Sequence, residues 1–108
     1  MPAIPQGVLT PVVSAAVATG VQPSFSFQPR PNGGNFNVLI GATGTFTPCT
    51  ATIEVSFDGG ATWKTFVAVA DFVANPVQTV TTFVAGPLYR YNIATFGGTS
   101  VTLTIAAN

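Results

Sequence analysis

The feature that most constrains this chain is an alternation of period two. It runs through Ile53-Glu54-Val55-Ser56-Phe57, breaks at Asp58-Gly59-Gly60, and resumes from Trp63 to Val67. A helix buries a stripe of period 3.6 and a half-buried strand a face of period two, so the stretch reads as strand, tight turn and returning strand. The pattern places Ile53, Val55 and Phe57 inward and Thr52, Glu54 and Ser56 outward. On the return, Trp63, Thr65 and Val67 share one face while Lys64 and Phe66 take the other. For Phe57 and Trp63 to meet as a cross-strand aromatic pair, the connection must contain a bulge and a glycine at positive φ.

The same alternation recurs along the chain. Ser24 to Gln28 reads as a short strand, 29–34 as a turn cluster, and Asn35 to Ala42 as a strand with Phe36, Val38 and Ile40 inward. Residues 44–48 form a connection or short strand. Val67 to Ala74 either continues the return strand or makes a helical turn, with Asp71 as a turn or cap residue. Gln78 to Val84 and Leu88 to Phe96 follow as strands, with Tyr89, Tyr91 and Ile93 on one face of the second. Gly97-Gly98 is expected to close a second hairpin, and the last strand turns Val101, Leu103 and Ile105 inward and Thr102 and Thr104 outward. About seven short strands with glycine-rich turns predict an all-β antiparallel sandwich over 23–108, of immunoglobulin-like or jelly-roll-like type. Residues 1–22 are apolar and interrupted by Pro2, Pro5 and Pro11, and read as an extended arm, either an edge strand folded back on its own domain or a segment lying on a neighbouring subunit. The arm lacks the basic start of a signal peptide, and its apolar run is too short and broken for a membrane-spanning helix.

Charge narrows the functions. Only Arg30, Lys64, Arg90, Glu54, Asp58 and Asp71 are charged among 108 residues, histidine is absent, and sixteen threonines supply much of the polarity. Three scattered cations cannot neutralise a useful number of phosphates, so nucleic acid is not an expected partner. No basic amphipathic helix suggests a membrane surface. The near-neutral, weakly charged chain favours association, either with copies of itself or with a partner.

Little here could carry catalysis. Without histidine there is no Ser-His or Cys-His dyad, and the three carboxylates lie on separate elements. No catalytic residue, metal site or cofactor is expected. Glu54 and Lys64 read as a surface ion pair across the hairpin. Cys49 reads as a small apolar residue near a strand end, with no local cation to activate its thiol. Trp63, Tyr89 and Tyr91 are candidates for a glycan-binding platform, although each alternates in phase with core positions.

Ser56-Phe57-Asp58-Gly59-Gly60-Ala61-Thr62-Trp63 is similar to the Asp-box, Ser-x-Asp-x-Gly-x-Thr-Trp, a structural turn of sialidases and many other β-proteins. In those families it lies away from the active site, so Ser56, Asp58, Gly59, Gly60 and Trp63 are expected to serve the turn. With Gly86-Pro87-Leu88-Tyr89-Arg90-Tyr91 and Gly97-Gly98-Thr99-Ser100-Val101-Thr102-Leu103, residues 35–106 resemble small β-sandwich structural proteins of tailed bacteriophages. The resemblance implies a virion component assembled in the host cytoplasm: a head decoration (cement) protein first, or else a head fibre, or a neck or tail subunit. The candidate aromatics Trp63, Tyr89 and Tyr91 give the alternative, a host-glycan-binding module at a fibre or tail tip. The expected partners are the major capsid protein or other virion subunits, and the low charge favours a homo-oligomer, a trimer foremost. On this reading Val8, Leu9, Val12, Val13 and Val21 of the arm are the expected partner interface.

Overall fold

The computed structural model describes residues 3–5, 7–29 and 35–107, apart from the side chains of Val69 and Thr81. From Arg30 on, the turn cluster expected over 29–34 lies outside the described residues. The elements are β1 (Ala3–Ile4), β2 (Thr10–Ala16), β3 (Gly20–Val21), β4 (Ser26–Phe27), β5 (Phe36–Ser56), β6 (Lys64–Asp71), β7 (Val77–Phe83) and β8 (Leu88–Ala107), with no helix among them. Pairing is antiparallel except in the β1–β4 ribbon, which is parallel. The expected all-β antiparallel sandwich is the observed fold.

Its construction differs from the expected series of short strands. β5 and β8, of 21 and 20 residues, pair almost from end to end and form a ribbon around which everything else is hung. The ladder shifts where Thr47 and Pro48 stand opposite Gly97, since proline has no amide to donate. That shift changes which residues of β5 face inward. Phe36, Val38, Ile40 and Ala42 are buried before it, and Cys49, Ala51, Ile53 and Val55 after it. The ribbon thereby passes from one layer to the other. β2 and β7 flank it in the first layer, β3 and β6 in the second.

Gly97-Gly98 is therefore a crossing within β8, not the expected hairpin turn. The reason is steric. A Cβ at Gly97 would stand 2.5 Å from the Thr47 carbonyl oxygen, and one at Gly98 would stand 2.6 Å from that of Thr45. Backbones this close admit only glycine, so the pair marks close approach of two strands.

The layers meet in one aromatic core. Phe83 of β7 packs edge-on against Phe66 of β6 at 4.9 Å between ring centroids, and lies 5.0 Å from Tyr89 of β8. Phe27 reaches Phe36, Phe83 and Tyr89, all at 5.3 Å. Burying each such ring contributes roughly 2–3 kcal/mol, which makes this cluster the main attraction between layers. The Cα radius of gyration is 13.1 Å, the value of about 13 Å expected for a compact chain of this length.

The first 22 residues are built into this body. β2 runs along β8 from Thr10 opposite Ile105 to Ala16 opposite Val101, and β3 pairs with Ile93 and Asn92. Ile4 is buried, and the Gly7 amide donates to the Ala107 carbonyl at 2.6 Å. Of the two places open to the arm, the described part of 1–22 takes the one on its own domain and supplies edge strands of its own sandwich.

Candidate functional site

Three surfaces can meet a partner: the tip of the β5–β6 hairpin and the outer faces of the two layers. The tip is fixed by short polar side chains. The Ser56 hydroxyl donates to Asp58 Oδ1 at 2.8 Å and accepts from the Gly60 amide at 2.8 Å. Asp58 accepts from the Thr62 amide at 2.9 Å and from its hydroxyl at 2.5 Å, and Trp63 Nε1 donates to the Gly60 carbonyl at 3.0 Å. Gly59 and Gly60 take φ of 76° and 100°. These bonds, the Thr62 hydroxyl's first, lower the Asp58 pKa to about 2. Ser56, Asp58, Gly59, Gly60 and Trp63 thus come together in the turn.

The aromatic pair expected across this hairpin is absent. β5 ends at Ser56, whose side chain turns in to serve the turn, so the alternation stops one residue early. Phe57 is left 78% exposed. A bulge does occur, between the Ile53–Val67 and Glu54–Thr65 pairs, and it brings Phe66 onto the aromatic core instead of the outer face. Trp63 is half-buried, with the Arg90 guanidinium 4.1 Å from its ring centroid.

The second layer's outer face carries a charged network. Arg90 Nε donates to Glu54 Oε1 at 2.6 Å, and Asn92 reaches Glu54 Oε2 at 3.4 Å. The expected Glu54–Lys64 pair does not form. Register places Arg90 beside Glu54 on β8 and Thr65 beside it on β6, while Lys64 falls opposite Val55. Arg90 thus ties Glu54 to Trp63. Of the glycan-platform candidates, Tyr89 and Tyr91 are fully buried and Trp63 lies under Arg90.

The first layer's outer face is its opposite. Leu39, Gly41 and Thr43 on β5 stand between Ala106, Thr104 and Thr102 on β8 and, for the first two, Thr79 and Val77 on β7. Pro11 continues the row beyond Thr104. Leu39 is 38% exposed and Val77 61%, and no charged side chain stands on this face among the described residues. Val8 and Leu9, exposed by half or more, immediately precede β2 at its edge. Of the other arm candidates, Val13 is buried in the chain's own core and cannot meet a partner there. Val12 is half-buried against that core, and Val21 is exposed on the charged layer beside Asn92. Sequence reasoning passed over Leu39 and Val77, although the inward phase of Phe36, Val38 and Ile40 already marks Leu39 as an outward apolar residue.

Asp71 and Cys49 serve structure. Asp71 Oδ1 accepts from the Val73 and Ala74 amides and holds the turn after β6. Cys49 is buried and its thiol pKa is raised, chiefly by desolvation. Among the described residues no three potential metal ligands cluster, and no helix is long and apolar enough to cross a membrane. The sequence matches no family model, no curated protein and no solved structure.

Proposed function

We propose that this chain is a structural virion subunit of a tailed phage, a decoration protein that binds the head lattice through the outer face of its first layer. The observation that carries the reading is the absence of charge from that face among the described residues, where Leu39 and Val77 stand among threonines. Covering threonine hydroxyls and aliphatic groups costs far less desolvation than covering ions. Four strands about 4.8 Å apart and roughly eight residues long offer on the order of 500 Å² of flat area before side-chain relief is counted. A standard interface takes about 800 Å² per partner, so Val8 and Leu9 at the margin extend the face toward that size. The resemblance to small phage sandwich proteins supplies the kind of particle. The mechanism is mechanical: a rigid sheet laid across neighbouring capsid subunits resists their separation.

Deleting 1–22 would remove β2 and empty the core slot of Val13, so point substitution is the cleaner test. The probe is heads of the encoding phage prepared without this protein. Wild type should saturate them, and a Leu39→Lys/Val77→Lys variant should bind at least about a hundredfold more weakly, since two unpaired cations would be buried. Wild type that ignores heads, or that is recovered only with tails, would overturn the reading.

A further inference from the structure

The hairpin tip presents a recognition surface separate from the first-layer face. Phe57 is the most exposed large apolar side chain of the described chain, at 78%. Beside it lies a cleft of about 480 Å³, walled by Ser56, Phe57 and Gly59 from the hairpin and by Gly86, Pro87 and Leu88 from the turn into β8. An apolar cavity of about 150 Å³ already accepts a benzene ring, so this cleft has room for a second phenyl group. Its glycine walls are low: a Cβ at Gly59 or Gly86 would meet nothing within 4 Å. Both neighbours of Phe57 in the chain, Ser56 and Asp58, are held by the turn's hydrogen bonds. The backbone that presents the ring is therefore set before a partner arrives, which lowers the ordering cost of association.

We infer that this end of the sandwich pairs with a second copy of the chain about a two-fold axis, the Phe57 ring of each copy seated in the cleft of the other. Ring and receptacle lie side by side in one patch, and a two-fold axis through such a patch brings each ring onto the opposite receptacle, as an isologous contact requires. Charge agrees with self-pairing. The tip end of the hairpin carries one exposed carboxylate, Asp58, and one exposed ammonium, Lys64, which has no ion pair among the described residues. Each copy offers the other one charge of each sign, and a chain of zero net charge meets no long-range repulsion. The contact leaves the first-layer face open, so it stands independently of head binding.

Sedimentation equilibrium of the full chain over about 1–300 µM tests it, a range that brackets ordinary weak-dimer affinities. Wild type should be a dimer. Phe57→Ser should raise the dimer dissociation constant about thirtyfold or more, the effect expected of an aromatic anchor. Its thermal midpoint, compared at a concentration where both proteins are monomeric, should match the wild type's, because the ring is exposed in the monomer. Leu39→Lys should leave the dimer intact while weakening head binding, which separates the two contacts. A wild type that is monomeric throughout or trimeric, a Phe57→Ser dimer as tight as wild type, or a monomeric Leu39→Lys variant would each overturn the inference.

Discussion

The two outer faces of the sandwich are built on the same two strands, β5 and β8, yet they are chemically unlike. On the second layer Glu54, Arg90, Asn92 and Trp63 satisfy one another, so that face is complete in itself. On the first layer Leu39, Val77 and the threonine rows hold no charge and leave apolar area in water. A partner covering the second face would have to desolvate an ion pair that is already well bonded, and a partner covering the first would not. On the proposed reading, the difference places docking on one side of the molecule. It also explains how a chain with so few charges keeps them useful, since two of the six are spent on one network.

The largest effect comes from removing the crossing that creates two faces at all. Gly97→Ala would put a methyl group 2.5 Å from the Thr47 carbonyl oxygen and 3.0 Å from Pro48 Cδ. Separating β5 from β8 there should cost about 3 kcal/mol, read as a lowered urea midpoint, and should degrade both faces together. Glu54→Ala is smaller and one-sided. It leaves the Arg90 guanidinium, about one-fifth exposed, without its carboxylate, at a cost of about 2 kcal/mol in chemical denaturation. Head binding should be unchanged in that variant. A loss of binding at full occupancy of the folded state would show that the charged face also takes part.

How much of this could be read beforehand depends on whether an element is governed by local or non-local contact. The inward sets Phe36, Val38, Ile40 and Val101, Leu103, Ile105 were legible because alternation is local, and all six are buried. The turn chemistry of Ser56, Asp58 and Gly60 was legible for the same reason. Phe57 was misplaced because alternation gives no sign of where a strand stops, and the turn claims Ser56 one residue earlier. Glu54 found Arg90 instead of Lys64 because the third strand, 36 residues further on, sets the neighbour. Gly97-Gly98 looked like a turn because glycine signals both tight turns and close backbone approach, and only the position of Thr47 distinguishes them. Local pattern left the arm two places, on its own sheet or on a neighbour, and the open ladder of β8 is what makes its described part edge strands.

The smallest predicted effect separates the tip from the docking face by pH. The Thr62 hydroxyl and amide and the Ser56 hydroxyl hold the Asp58 carboxyl down to about 2, against an ordinary 3.8. A depressed carboxyl pKa stabilises the folded chain fully above the unfolded value, and that stabilisation is lost as pH falls from 3.8 through about 2. Titration followed by the Thr62 amide resonance should therefore show a transition centred near pH 2, and the denaturation midpoint should begin to fall below about pH 4. Asp58→Asn should abolish the Thr62 transition. The first-layer face holds no titrating side chain among the described residues, so head binding should stay level from pH 7 to about 4 and respond weakly to salt. Asp58→Asn, which removes the carboxylate charge from the tip at pH 7, should likewise leave head binding unchanged, and a loss of binding in that variant would move the docking surface from the uncharged sheet to the hairpin tip.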